Sequence, residues 1–421
     1  MPHPFSPPPI QPLDRLQVTD GLLINADRWR ISHDYHRQRQ GIHYQSLHQP
    51  GIVCGLGICL ISAPLDVPSQ YRDGRWVQLQ PGIAIDVAGN PIVVPKAMDF
   101  RITSEAPPDS PITVYLVVSY VDPTKLRRKE QPEVVQETFR IDEKINSPQE
   151  QEVEICRILL QPDVTQLQSP TNIFFPEANQ LDLRHRVQVC PRPQMTVRVA
   201  QISYDGSNPS APDHPVQSLF YLLESIASLY PALQGVPDIG QLTLDAVGAE
   251  PIADTYDVLY LCGQRPLVPT EAEFIALKEY LTKGGTLLVD AGLSGIDLAK
   301  SILELAQQLD SPLEPLENLS RSHPLRTQPF LFAALPKFQQ EPTQVWSGGG
   351  ILLIMGGLSS AWGLDAALSL PRETLRTAHE LGINLLQFAC RRRHLMQLVY
   401  QEKPPSTAQT PLQSMFNKLI G

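Results

Sequence analysis

Residues 47–58 read LHQPGIVCGLGI, and residues 80–94 read QPGIAIDVAGNPIVV. Each stretch has a Pro-Gly pair followed by alternating apolar residues. The second adds a turn at Gly89-Asn90-Pro91 before a further apolar run. Proline fixes φ and glycine accepts positive φ, so both patterns mark tight turns. The β-branched and aliphatic residues between the turns (Ile83, Ile85, Val87, Ile92, Val93, Val94) suit strands. The reading is a small β-module with tight turns. Nothing in either stretch brings an acid, a base and a nucleophile together.

The neighbouring sequence extends this module. Residues 111–122, PITVYLVVSYVD, read as a buried strand, and ETFRIDEKI (137–145) and EVEICRILLQ (152–161) as two more. The charged excursion 123–134, PTKLRRKEQPEV, reads either as a solvated loop or as a contact surface. Upstream, Asn25 or Asp27 is placed to cap a helical turn leading into Trp29 and Tyr35. His33, His36, His43 and His48 raise a metal site, but no acidic or thiol ligand recurs with them at a usable spacing. Packing residues beside Arg37 and Arg39 is the preferred reading. Residues 1–12 carry six prolines, which suits an extended arm: either a disordered tail or a segment lying on a neighbouring subunit.

The two turn-and-strand motifs, with HDYHRQRQGIH (33–43) before them, resemble modules in tail and baseplate proteins of phages and contractile injection systems. The resemblance covers roughly residues 13–160. It implies a part that works through subunit contacts, with other baseplate and tail proteins and symmetric copies of itself as partners.

Composition sets the outer bounds. A chain of 421 residues is too long for one core, so two or three domains are expected. The net charge of -10 argues against non-specific nucleic-acid binding, which needs a basic surface. The 41 prolines suit rigid connections and extended loops. The six cysteines (54, 59, 156, 190, 262, 390) are expected as buried free thiols in a reducing cytoplasm, because no signal peptide precedes them. No apolar run reaches the roughly 20 residues of a membrane span. The expected setting is cytoplasmic and particle-associated, with no cofactor and no metal.

Residues 161–194 read as an extended connector, with a boundary near 191–194. Beyond it the pattern changes. Apolar strands are expected at 195–204, 241–247, 256–262, 286–290 and 350–355. Helices alternate with them at 215–230, 271–282, 296–309 and 372–390. The first helix would bury Val216, Leu219, Phe220, Leu223, Ile226, Ala227 and Tyr230. Thr270 and Glu273 form a capping-box pattern at the start of the second, and Gly284-Gly285 ends it. Arg391, Arg392 and Arg393 with His394 are expected to close the last helix, where positive charge suits its dipole. Alternating strands and helices predict a doubly wound parallel sheet with any ligand at the strand ends. The fold class expected is therefore α+β multidomain: a mainly-β module, then a doubly wound α/β domain of flavodoxin or amidotransferase type over 195–400.

The pieces YDVLYLCG, TEAEFIALKEYLTKGGTLLVDAG, SHPL and LGINLLQF resemble, in this order, an uncharacterised bacterial domain family with a class I glutamine-amidotransferase-like fold. An active member of that fold needs a cysteine on a strand-to-helix elbow, a histidine and an acid. The elbow after 286–290 reads Ala291-Gly292-Leu293-Ser294-Gly295, with no cysteine and one residue short of G-x-S-x-G. Ser294, His323 and Asp290 are the residues to test for a hydrolase. The preferred reading has Ser294 capping a helix and His323-Pro324 making a rigid turn, with Cys262 a buried thiol. Finally, 401–421 is a linker and a short amphipathic helix whose Leu412, Met415, Phe416, Leu419 and Ile420 share a face. That face suits a partner groove or the chain's own domain; with one lysine it suits a membrane surface less.

Overall fold

The computed structural model describes residues 11–123, 126, 134–164, 166–204, 214–248, 255–338, 341–363 and 369–399. The C-terminal apolar face (Leu412, Met415, Phe416, Leu419, Ile420), most of the proline arm and most of the 123–134 excursion lie outside them. The chain is an α+β protein of two compact units, Met1–Arg192 and Pro193–Gly421. Among the described residues no helix is long and apolar enough to cross a membrane.

The first unit begins with α1 (Ala26–Leu47), a longer helix than the single turn expected there. Asn25 caps it, its side chain accepting from the Arg28 N–H at 2.9 Å. None of its residues is buried, so it lacks the apolar stripe by which sequence reveals a helix. The strands that follow are β1 (Gly51–Gly55), β2 (Ile58–Leu60), β3 (Trp76–Leu79), β4 (Gly82–Ile85), β5 (Pro91–Val94), β6 (Met98–Arg101), β7 (Ile112–Val121), β8 (Thr138–Lys144) and β9 (Glu152–Leu160). They form three antiparallel sheets, ordered β1-β4-β5, β2-β3-β6 and β8-β7-β9. Inward residues of all three, among them Ile52, Val77, Ala84, Ile92, Leu116 and Ile158, share one core.

The β4–β5 turn shows why its sequence is so constrained. Asp86, 4% exposed, accepts from the Asn90 backbone N–H at 2.8 Å and from its side chain at 2.9 Å. Gly89 stands at φ +82, open to few other residues. The backbone of Gly89 also lies against Gly41 of α1, where any side chain would collide. The turn is thus the seat on which the C-terminal half of α1 rests, helped by a Gln45 to Ala88 O bond of 2.8 Å.

The described residues of 161–192 are irregular, as a connector should be, yet they are part of this unit. Arg157 and Asp182 exchange backbone bonds of 2.9 Å in both directions, and Leu167 and Leu181 enter the core. Arg186 donates to Gly55 O at 2.8 Å and Ile155 O at 3.1 Å. These bonds replace the water an isolated connector would need.

In the second unit the expected strand at 195–204 is two: β10 (Met195–Val197) and β11 (Val199–Ser203), which enter different sheets. After α2 (His214–Leu229) come β12 (Leu233–Gly235), β13 (Gly240–Thr243), β14 (Val258–Cys262), α3 (Glu271–Thr282), β15 (Thr286–Asp290) and α4 (Ile296–Gln308). Then follow β16 (Glu314–Pro315), the single turn α5 (Pro324–Thr327), the small pair β17 (Lys337–Phe338) and β18 (Glu341–Pro342), β19 (Gln344–Gly348), β20 (Ile351–Met355) and α6 (Arg372–Val399).

The main sheet is ordered β13-β11-β14-β15-β20-β19-β16. It is parallel from β13 to β20; β19 runs the other way and pairs antiparallel with both β20 and β16. The expectation of an all-parallel sheet is corrected at this edge. Gly349 and Gly350, at φ +55 and +94, fold β19 and β20 into a tight hairpin, so no crossover helix is needed between them. Pro315 suits β16 to the outermost position, since proline cannot donate to a further strand. Alternate residues of β14 show the two covered faces. Val258 and Tyr260 pack with α2 and α6, and Leu259 and Leu261 with α3 and α4. On α2, Leu222 is buried and Phe220 is 38% exposed, the reverse of what the predicted face gave to Phe220.

The last helix continues past Cys390 to Val399, so its arginines do not close it. Arg393 lies in the interior, 5% exposed, with its guanidinium 3.4 Å from Asp257 and donating to Tyr256 O. Asn384, wholly buried, accepts from the Phe330 N–H at 2.9 Å and donates to Phe330 O and Leu325 O at 2.7 and 3.0 Å. Replacing it by leucine leaves three backbone groups unmet. Asn384→Leu is expected to cost on the order of 1–3 kcal/mol, read as a lower urea midpoint with unchanged m.

Candidate functional site

In an open α/β sheet the groups best placed for chemistry sit where the parallel strands end. Here β14 and β15 end side by side, with Cys262 opposite Asp290 in the register. Every residue of β15 is buried, so its last side chain is carried inward with the rest of the strand. Asp290, 4% exposed, accepts from the Tyr260 hydroxyl at 2.8 Å and from the Gly292 N–H at 3.0 Å. The Ser359 hydroxyl bonds it as well. Burial pushes its pKa up, and the hydrogen bonds from Ser359, Tyr260 and Gly292 pull the other way; the net direction is upward. Burial and the facing carboxylate hold the Tyr260 phenol well above its ordinary range.

The β15–α4 loop presents Ser294 to solvent, but not as a helix cap. Gly295 is the N-cap of α4 and no side chain caps that end. The Ser294 hydroxyl instead accepts from the Gln264 side chain at 3.1 Å. His323 is the N-cap of α5, its Nδ1 accepting from the Leu325 N–H at 3.3 Å. Its ring packs against Phe388 at 5.6 Å between centroids. Burial, and secondarily Arg326, lowers its pKa, so the ring is neutral near pH 7 with its proton on Nε2. Ser294, His323 and Asp290 thus each bond to a different partner, and no hydrogen bond links any two of them. The relay that activates a serine nucleophile is absent from this arrangement.

The cysteines differ from expectation. All six thiols are free, but only Cys156 and Cys390 are buried; Cys262 is half-buried, and Cys54, Cys59 and Cys190 are exposed. Cys54 and Cys59 lie at outward positions of β1 and β2. Burial raises the Cys156 thiol to about 12, so it stays protonated. Among the described residues no group of three or more His, Cys, Asp or Glu is arranged to hold a metal. His33 packs edge-on to Trp29 at 5.5 Å and His36 to Tyr35 at 5.3 Å. Ser359 and Tyr260, both bonded to Asp290, were missed in the sequence. Neither has a motif; only the register of β14 against β15 brings Tyr260 to the site.

The model of a family known only as a domain of unknown function, DUF4159, matches residues 243–390. That stretch contains the Asp290 site and most of the main sheet. Among solved structures, a ThuA-like protein from Bacteroides uniformis is 13% identical, covering 47% of this chain and 91% of its own, with a TM-score of 0.26. That score is too low to carry an argument about the fold. No curated protein matches.

Two measurements test the site. Asp290→Ala leaves Tyr260 and Gly292 without their acceptor, and is expected to destabilise the second unit by about 1–3 kcal/mol in chemical unfolding. His323 has a folded pKa below its unfolded value of about 6.5, so the unfolded chain binds more protons as pH falls through that value. Stability from this residue is therefore lost on acidification below about pH 6.5. The variant His323→Asn keeps a capping side chain without titrating, and its thermal midpoint should fall less than that of the native chain between pH 7 and about pH 5.

Proposed function

We propose that this chain is a structural component of a phage-tail-like contractile injection system, at or near the baseplate, acting through subunit contacts. The observation that carries the reading is α1: a helix of 22 residues with none buried. A helix of mixed polarity has little intrinsic reason to persist alone in water. Its internal ion pair, Arg30 with Asp27, is exposed on both sides and contributes little. Its C-terminal half rests on the β4–β5 turn, and its N-terminal turns around the exposed Trp29 stand out for packing in an assembly.

On this reading the first unit contacts other baseplate and tail proteins and symmetric copies of itself. The second unit, with an amidotransferase-like layout, is a decoration or anchoring module without catalysis. The separate engagement of Ser294, His323 and Asp290 supports that assignment. No cofactor, nucleic acid or membrane span enters the role, and the setting is the cytoplasm, on the particle.

Sedimentation of a native lysate, with mass spectrometry of the heavy fraction, tests it. The chain is expected at a fixed ratio to sheath and tube proteins. Recovery only in the light fraction would defeat the proposal.

A further inference from the structure

α1 is a basic element on an acidic chain. Four arginines (28, 30, 37, 39) against two aspartates (27, 34) make the helix +2, so a chain total of -10 leaves -12 elsewhere. Arg37 is committed to Asp122 at 3.2 Å. The N-terminal turns instead carry Trp29, 57% exposed, between Arg28 and Arg30. Arg28 reaches back to Leu23 O and Arg30 to the exposed Asp27, so neither guanidinium is buried. An uncovered indole flanked by arginines is the composition in which protein interfaces concentrate their binding energy.

The second unit holds a surface of the opposite kind. A cleft of about 420 Å³ lies between the start of α3 and the last turn of α4. Leu267, Phe274 and Leu305 give it an apolar floor, and Val268 stands at its lip, 82% exposed. Glu271 and Glu304 are its charged residues, and among the described residues no lysine or arginine lines it. The last turn of α4 carries no basic residue either, so the negative end of its dipole is unopposed there.

We infer that this cleft receives the Trp29 end of α1 from a second copy of the chain, with Arg28 and Arg30 meeting Glu271 and Glu304. Pairing α1 with another α1 sets like charge against like. The contact therefore joins unlike surfaces, and such heterologous contacts close into rings or continue as stacks. The inference rests on the structural reading only in taking the chain to work in several copies.

Sedimentation velocity of the purified full-length chain, over a range of concentration at low and high salt, tests the contact. The expected result is a species heavier than the 46.8 kDa chain, weakened by salt. Trp29→Ala should weaken self-association about tenfold or more, with an unchanged thermal midpoint because the indole is exposed. Glu271→Arg with Glu304→Arg should weaken it too, and adding Arg28→Glu with Arg30→Glu should restore it. A mass of 46.8 kDa at every concentration overturns the inference, as does a heavier species indifferent to Trp29→Ala. A chain that is monomeric when pure yet co-sediments with sheath and tube proteins overturns this contact while leaving the structural role standing. A chain that self-associates through Trp29 but is missing from particles supports the contact and removes that role.

Discussion

A helix that runs through a core carries its polar groups with it, and each of them must be met there. α6 is that helix in the second unit, and much of the unit is arranged around its demands. Asn384 holds the 325–330 segment by three hydrogen bonds to backbone. Arg392 donates to Gly285 O at 2.6 Å and Leu281 O at 2.8 Å, satisfying carbonyls at the end of α3 and the entry to β15. Arg393 pairs with Asp257, whose carboxylate also accepts from the Arg198 N–H just before β11, at 2.9 Å. One end of the sheet is therefore tied by cations reaching back from a helix. The other end is tied by a buried carboxyl, Asp290, reaching forward from a strand. The strands between them need be little more than apolar.

How much of this could be read beforehand follows from where the signal is stored. Thr270 and Glu273 form the capping box that their spacing announced, because the motif is local and both partners are on the page. The paired turns of the first unit are legible for the same reason: the Asp86, Gly89 and Asn90 constraints lie within five residues. α1 was not legible. It buries nothing, so no apolar period marks it, and its length is a matter of contacts rather than pattern. The reversed β19 and its edge partner β16 were missed because SGGG reads equally as a strand end or a hairpin, and only the pairing of Ser347 with Leu352 decides. The break at Arg198 that divides β10 from β11 has no local mark; the Asp257 carboxylate that accepts its N–H is 59 residues away.

The site was legible in some of its residues and not in its geometry. Asp290 and Ser294 were identifiable because a strand followed by a small-residue loop is where an α/β fold places reactive groups, and His323 as the nearby histidine, but Tyr260 and Ser359 were not. What the sequence does not contain is which way each side chain is drawn. Tyr260 and Ser359 draw Asp290 inward, Gln264 holds Ser294 on the surface, and the backbone of Leu325 takes the histidine nitrogen that a serine would need. The pulls on Asp290 and Ser294 are long-range contacts with no counterpart in spacing, while the one on His323 comes from two residues along the chain.

The hydrogen bonds that make Asp290 a strut also make it a poor base. A general base must offer a lone pair toward the group it deprotonates and must stand near its operating pH. A raised pKa moves toward the second condition, and taken alone it would mark Asp290 as a candidate reactive group. The first condition fails for want of access: Tyr260, Ser359 and Gly292 already bond the carboxyl, and almost none of the residue reaches solvent. Freeing the oxygen held by Gly292 means moving the β15–α4 loop, which is itself held by Gly295 N–H to Ala291 O at 2.8 Å and Gly356 N–H to Gly292 O at 2.9 Å. Breaking the Tyr260 bond would also leave a buried phenol without its acceptor. The perturbed pKa thus reports burial in a satisfied network, and here the donor geometry, not the pKa, separates a structural carboxyl from a reactive one.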